Sequence, residues 1–122
     1  MTARKLNVAV VGLGIGRVHL EAYRNLPQLF EVKAACDLDE ARLAASGVAW
    51  TTTRLQDLLD SAQIDLVDLC TPPNTHLPLL RQALAASKHV ICEKPLVGSL
   101  AEADAVEAAV GSAKSSLFPI FQ

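Results

Sequence analysis

Aromatic side chains are scarce: three Phe, one Tyr and one Trp make up 4% of the 122 residues. Burial must therefore rest on Val, Leu, Ile and Ala, a palette that suits parallel strands covered by helices. Cysteine is almost as sparse. Cys36, Cys70 and Cys92 are odd in number, widely spaced and without a C-x-x-C pair, which argues against a disulfide framework and leaves no metal-ligand spacing. Each falls late in an apolar stretch, as expected of a buried, reduced thiol in a reducing cytoplasm. There is no block of like charge, and a net charge of -2 gives no footprint for nucleic acid or an anionic membrane. No apolar run approaches the ~18 residues of a membrane-spanning helix. Arg4 and Lys5 before an apolar stretch imitate a signal peptide, but Asn7, three glycines and Arg17 interrupt it, and no A-x-A-like site follows closely. The expectation is a soluble cytoplasmic chain without membrane or nucleic-acid partners.

What remains is 51% hydrophobic and 20% charged, which excludes disorder, and it is long enough for one domain with its own core. Strand and helix signals alternate along it. Strands are predicted over residues 6–11, 30–36, 48–51, 64–70, 89–92 and 116–121, several of them near-continuous apolar runs. A helix from about Gly16 to Leu26 is stopped by Pro27. Asp39 is placed to cap a helix that Gly47 closes. Thr53 with Gln56, and Ser99 with Glu102, have the spacing of capping boxes, the second before an alanine-rich helix reaching Ala109 or Gly111. Asn74 is placed to cap the helix that carries Pro78 in its first turn. This pattern predicts an α/β fold: a doubly wound, mostly parallel six-stranded sheet in the order 3-2-1-4-5-6, with helices on both faces.

Ligands of such sheets bind at the carboxyl ends of the strands. The first of these carries Gly12, Gly14 and Gly16 between a strand and a helix, a variant of G-x-G-x-x-G whose third glycine comes one residue early. A pyrophosphate close to backbone needs residues without Cβ, together with the free amides of a helix N-terminus. Gly12, Gly14, Ile15 and Gly16 are the candidates. Asp37 ends the second strand about 20 residues later, where a carboxylate accepts from ribose hydroxyls and repels a 2′-phosphate. With Leu38 and Asp39 next to it, NAD is expected as cofactor, and NADP is not excluded. Arg17 either approaches the pyrophosphate or is solvated on the first helical turn. His19 shares a helical face with Ala22, Tyr23 and Leu26 and is expected as a packed, hydrogen-bonded core residue. Asp68, mid-strand among apolar residues, either points at the crevice edge or accepts backbone hydrogen bonds.

Two later strand ends open onto the same crevice. Thr71-Pro72-Pro73-Asn74-Thr75-His76 leaves the fourth strand, and its prolines suit a stiff wall against a flat ring. Glu93-Lys94-Pro95 leaves the fifth. An ammonium such as that of Lys94 polarises a hydroxyl or ketone, and desolvation brings it toward the working range of an acid or base.

Together, GLGIGRVH, CDLDEAR, IDLVDLCTPPNTH and KHVICEKPL resemble the N-terminal NAD(P)-binding Rossmann domain of the Gfo/Idh/MocA oxidoreductases, from Leu6 to Gln122. The resemblance implies NAD(P)-dependent oxidation of a secondary alcohol on a sugar, cyclitol or related polyol, or the reverse reduction. It makes Lys94 the residue that hydrogen-bonds substrate, with Thr71, Pro72, Asn74, His76, Glu93 and Lys94 around the nicotinamide half of the cofactor. His76 would shape the pocket, and a cis peptide before Pro95 is common in such proteins. Relatives carry a second α/β domain holding substrate and a catalytic histidine; residues 1–122 contain none, so this chain alone is expected to be inactive. For the complete protein a homo-oligomer is compatible with this reading. A non-catalytic nucleotide sensor or assembly module is the alternative, and the TPPN and EKP pair argues against a reductase of another Rossmann family.

Overall fold

Strand β1 (Leu6–Val11) ends in four consecutive fully buried residues, because both faces of the sheet are covered. The computed structural model describes residues 4–121. Around β1, strands β2 (Phe30–Cys36), β3 (Trp50–Thr52), β4 (Leu66–Leu69), β5 (His89–Cys92) and β6 (Leu117–Pro119) form one sheet. Every pairing is parallel and the order is β3-β2-β1-β4-β5-β6, the predicted one. The chain order reverses direction across the sheet between β1 and β4, so their carboxyl ends flank the crevice where such folds bind ligands.

Five helices complete the layers: α1 (Gly16–Arg24), α2 (Glu40–Ala45), α3 (Leu55–Leu59), α4 (His76–Ala85) and α5 (Leu100–Ser112). Side chains alternate along each strand and divide the core in two. Val8 and Val10 pack with Leu20, Tyr23 and Leu43 from α1 and α2. Ala9 and Val11 pack with Leu58, Leu80, Leu84 and Val106 from α3, α4 and α5. Lys88 is buried beneath this second layer, where its Nζ donates to the Ser61 and Ile64 carbonyls at 2.7 and 2.9 Å.

Several boundaries differ from the sequence expectation. Asp39 caps α2 by accepting from the Ala41 and Arg42 amides, and Ser99 caps α5 by accepting from the Glu102 amide, as predicted. The Thr53–Gln56 capping box does not form. Thr52 takes over: its Oγ accepts from the Arg54 amide and donates to Asp57 at 2.6 Å, which moves the helix start to Leu55. Asn74 does not cap α4 either. It lies in a 3₁₀ turn over Pro73–Thr75, and α4 begins at His76 without a side-chain cap. Pro73 opens the tighter 3₁₀ turn, so Asn74 sits inside that turn with helical backbone instead of at a helix start where its side chain could cap. The outer strands β3 and β6 are three residues each, shorter than predicted, since each pairs on one side only.

Candidate cofactor site

A cleft of about 1040 Å³ opens along the carboxyl ends of β1, β2, β4 and β5. Gly12, Gly14, Ile15, Asp37, Thr71, Pro72, Asn74, Glu93 and Lys94 all line it, so the structure brings together most of the residues that the sequence singled out. Gly16, Arg17 and His76 do not line it. Gly16 is buried against Val10, Arg17 is exposed on the first turn of α1, and His76 is enclosed behind Thr71.

The three glycines have different reasons for being there. Gly12 has φ +90°, and a Cβ on it would fall 2.9 Å from both the carbonyl carbon and the oxygen of Cys70. A Cβ on Gly16 would fall 2.9 Å from Val10 Cγ1. These two let β1, β4 and α1 pack closely. Gly14 is under no such demand: a Cβ there would meet only the Arg42 guanidinium, at 3.8 Å, and would project into the cleft. Gly14 is thus the glycine of the three that the fold itself does not require.

Backbone donors are distributed to match. The Gly12 amide bonds the Cys36 carbonyl at 2.8 Å, and the Leu13 amide bonds Asp37 Oδ2 at 2.7 Å. Among the described residues no acceptor takes the Gly14 or Ile15 amides, which are left at the N-terminus of α1 to face an anion. Asp37 itself is held on both oxygens, Oδ1 accepting from the Asp39 amide at 2.8 Å. Each carboxylate oxygen keeps a further lone pair for a ribose hydroxyl. The donor set and the open position at Gly14 fit a dinucleotide.

Sequence reasoning missed Arg42. It lies one turn into α2, its Nη1 is 3.8 Å from Asp37, and it lines the cleft with Leu38, Thr53 and Leu55. The signal was present in Asp39's cap, which fixes α2 and turns Arg42 back toward the second strand's end.

At the opposite end, Lys94 is exposed at the cleft and follows Glu93, whose Oε2 accepts the Lys94 amide at 3.1 Å. The Lys94–Pro95 peptide is cis. His76 ties the two loops together, with Nε2 2.8 Å from the Thr71 carbonyl and Nδ1 2.9 Å from the Leu96 carbonyl. It acts on the cleft through those carbonyls and does not touch it.

Behind the glycine loop, Asp68 resolves a question that the sequence left open. Its side chain is fully buried and faces α1, on the same side as Leu66, because strand residues alternate. It accepts from Tyr23 Oη at 2.5 Å and from Cys70 Sγ at 3.3 Å, and pairs with His19 Nδ1 at 2.7 Å. The hydrogen bond that His19 donates to Asp68 holds its pKa above the ordinary histidine value, against the opposing cost of its partial burial. Burial, reinforced by Asp68, pushes the Tyr23 hydroxyl and the Cys70 thiol up. Burial also raises Cys36 to about 11 and Cys92 to about 12, so these thiols are inert packing groups. His19, Asp68 and Cys70 place ligand-type atoms within 4.8 Å of one another, but hydrogen bonds among them already account for the cluster.

Known proteins resemble this chain in sequence and fold. Residues 6–121 match the model of the oxidoreductase family with an NAD-binding Rossmann fold, Gfo/Idh/MocA. The chain is 36% identical over 113 residues to D-apiose dehydrogenase of Paraburkholderia graminis, covering 88% of this chain and 30% of that one. It is 34% identical over 104 residues to myo-inositol 2-dehydrogenase of Thermotoga maritima, covering 81% and 31%. A levoglucosan dehydrogenase solved with NADH and levoglucosan superposes with a TM-score of 0.86 at 27% identity, over 95% of this chain and 35% of that one. The chain spans about a third of the length of the curated relatives it matches. With six parallel strands in the order 3-2-1-4-5-6, a glycine loop answered by Asp37 and a match over nearly every residue, the chain belongs to the Gfo/Idh/MocA family of oxidoreductases, whose NAD-binding Rossmann domain it carries.

Proposed function

We propose that residues 1–122 form the cofactor-binding domain of a dehydrogenase acting on a secondary alcohol or ketone of a sugar, cyclitol or related polyol. The observation that carries this reading is that one cleft joins the Gly14 and Asp37 end to Lys94. A sensor needs the first end only; an ammonium at the other end serves a reacting oxygen. Bound NAD supplies the hydride acceptor, and NADH the donor. The rest falls to the protein.

The Gly14 and Ile15 amides and the N-terminus of α1 hold the pyrophosphate, and Asp37 holds the adenosine ribose. Pro72 and Asn74 form a stiff wall beside the nicotinamide, with Thr71 fixed from behind by His76. Thr75 braces the same turn, its hydroxyl donating to Thr71 Oγ at 2.6 Å. Lys94 donates to the substrate oxygen and stabilises the negative charge it carries, which arises in oxidation as the proton leaves and in reduction as hydride reaches the carbonyl carbon. A base from a second domain, of the kind the full-length relatives have room for, moves the proton. On this reading the purified 122-residue chain binds NADH but turns nothing over. Dehydrogenase activity in that chain, assayed against a panel of polyols, would show that it needs no second domain.

Asp37 has two tasks here, and they separate experimentally. Asp37→Ala is expected to weaken NADH on the order of tenfold, because hydrogen bonds to a charged group are lost. NADPH should lose less, since the carboxylate no longer repels its 2′-phosphate and Arg42 remains beside it. Binding is read from NADH and NADPH fluorescence. Equal weakening of the two would assign Asp37 to holding Leu13 and remove it from ribose recognition.

A further inference from the structure

His19 belongs to two groups at once. Its Nδ1 pairs with the buried Asp68, while its Nε2 lies 3.7 Å from Glu93 Oε1, on the cleft wall. A fully buried carboxylate calls for a compensating charge, and the His19 ring, cationic when protonated, is paired with it. Tyr23 and Cys70 contribute neutral donors to the same carboxylate. The titratable groups facing the ring are therefore Tyr23 from α1, Asp68 and Cys70 from the β4 end, and Glu93 from the β5 end. The histidine that the periodicity places in the core is in fact the link between a buried charge and the cleft.

We propose that the Asp68–His19–Glu93 line makes the preference between NAD⁺ and NADH depend on pH, with His19 as a positioning residue that sets the charge presented by Glu93. This rests on the reading that the nicotinamide lies beside the Glu93–Lys94 loop. The two cofactor forms carry the same phosphates and differ by one positive charge on the nicotinamide ring. With His19 protonated, its Nε2–H faces Glu93 and offsets the carboxylate, so the cationic ring gains little there. When the proton leaves, two carboxylates flank a neutral ring, and the site favours the cationic form. By linkage, NAD⁺ binding loosens the His19 proton, whereas NADH binding does not.

The sign follows. His19 holds its proton above the ordinary histidine value of about 6.5. The ratio Kd(NAD⁺)/Kd(NADH) is thus expected to be flat below that value and to fall roughly three- to tenfold as pH rises to about 9. Taking the ratio cancels titrations that act on both forms alike. The measurement is calorimetry for NAD⁺ and fluorescence for NADH on this chain, from pH 6 to 9.5, for wild type, His19→Asn and Glu93→Gln. His19→Asn keeps a donor toward Asp68 and should flatten the ratio; any contribution from Lys94 persists in it and is thereby separated. Glu93→Gln alters a side chain at the cleft wall, leaves the buried pair in place, and should flatten the same slope even where the first variant folds poorly. A ratio independent of pH in the wild type, or one that falls equally in both variants, overturns the proposal. Failure of either cofactor to bind at any pH instead removes the dinucleotide site, and this proposal with it.

Discussion

Gly12→Ala is expected to lower the unfolding free energy by about 2–4 kcal/mol, whereas Gly14→Val should leave it within about 0.5 kcal/mol. The first substitution forces a side chain into the left-handed region at φ +90° and drives its methyl to 2.9 Å from the Cys70 backbone. Neither the β1 end nor the β4 end can retreat, because each is hydrogen-bonded: the Gly12 amide to Cys36 and the Cys70 amide to Val11. The second substitution meets only an exposed guanidinium. Its effect should appear in binding, where bulk at the pyrophosphate's place costs about a hundredfold in NADH affinity, ~2.8 kcal/mol. Urea denaturation and NADH fluorescence on the same two proteins separate the effects. Two glycines only two residues apart then report on different things, one on the fold and one on the ligand. A Gly14→Val protein that binds NADH normally would remove the glycine loop from the cofactor site.

Asp68→Ala is the other large effect, a loss of about 3–5 kcal/mol of stability. The cost arises from the partners left behind more than from the carboxylate removed. Tyr23 Oη, His19 Nδ1 and Cys70 Sγ all converge on it, and Tyr23 is itself buried, with its ring edge-on to Phe30 at 5.0 Å. Removing a shared acceptor from a low-dielectric interior orphans several donors at once. Tyr23→Phe combined with Asp68→Ala tests this directly. If stranded donors carry the penalty, the double variant is more stable than the sum of the singles predicts. Strict additivity would mean that the network contributes no more than its separate bonds.

Much of this was legible in the chain before any coordinate. The apolar runs of β1 and β4, the Asp39 and Ser99 caps and the alternation of strand and helix mark a parallel doubly wound sheet through local chemistry. The cleft followed, since parallel sheets put their loops on one edge. What escaped notice depended on side chains meeting across elements. Arg42 reaches Asp37 only once α2 is placed. His76 looks like a pocket residue beside TPPN, yet it faces inward, because the 3₁₀ turn at Pro73–Thr75 rotates α4's first residue onto the Thr71 and Leu96 carbonyls. Lys88 shows the limit most plainly. No pattern marks a lysine for burial, and only the convergence of the Ser61 and Ile64 carbonyls makes a place for its ammonium. Capping differed where a neighbouring hydroxyl competed, as at Thr52, and where a tighter turn took in the capping residue, as at Asn74.

The carboxylate of Asp37 bonds the Leu13 and Asp39 amides in the same structure that leaves the Gly14 and Ile15 amides open. A side chain already locked to the loop it serves has little rotational freedom left to surrender when a ribose arrives. The glycine turn is likewise kept in register with the second strand, by the Leu13–Asp37 bond and by the Gly12 amide on the Cys36 carbonyl. On the proposed reading, recognition at this end is preorganised, and association is expected to be governed by diffusion and charge instead of a slow rearrangement. The corollary concerns rates: substitutions that loosen Asp37 would slow capture of the adenosine half, while those at the far end of the cleft would chiefly hasten its release.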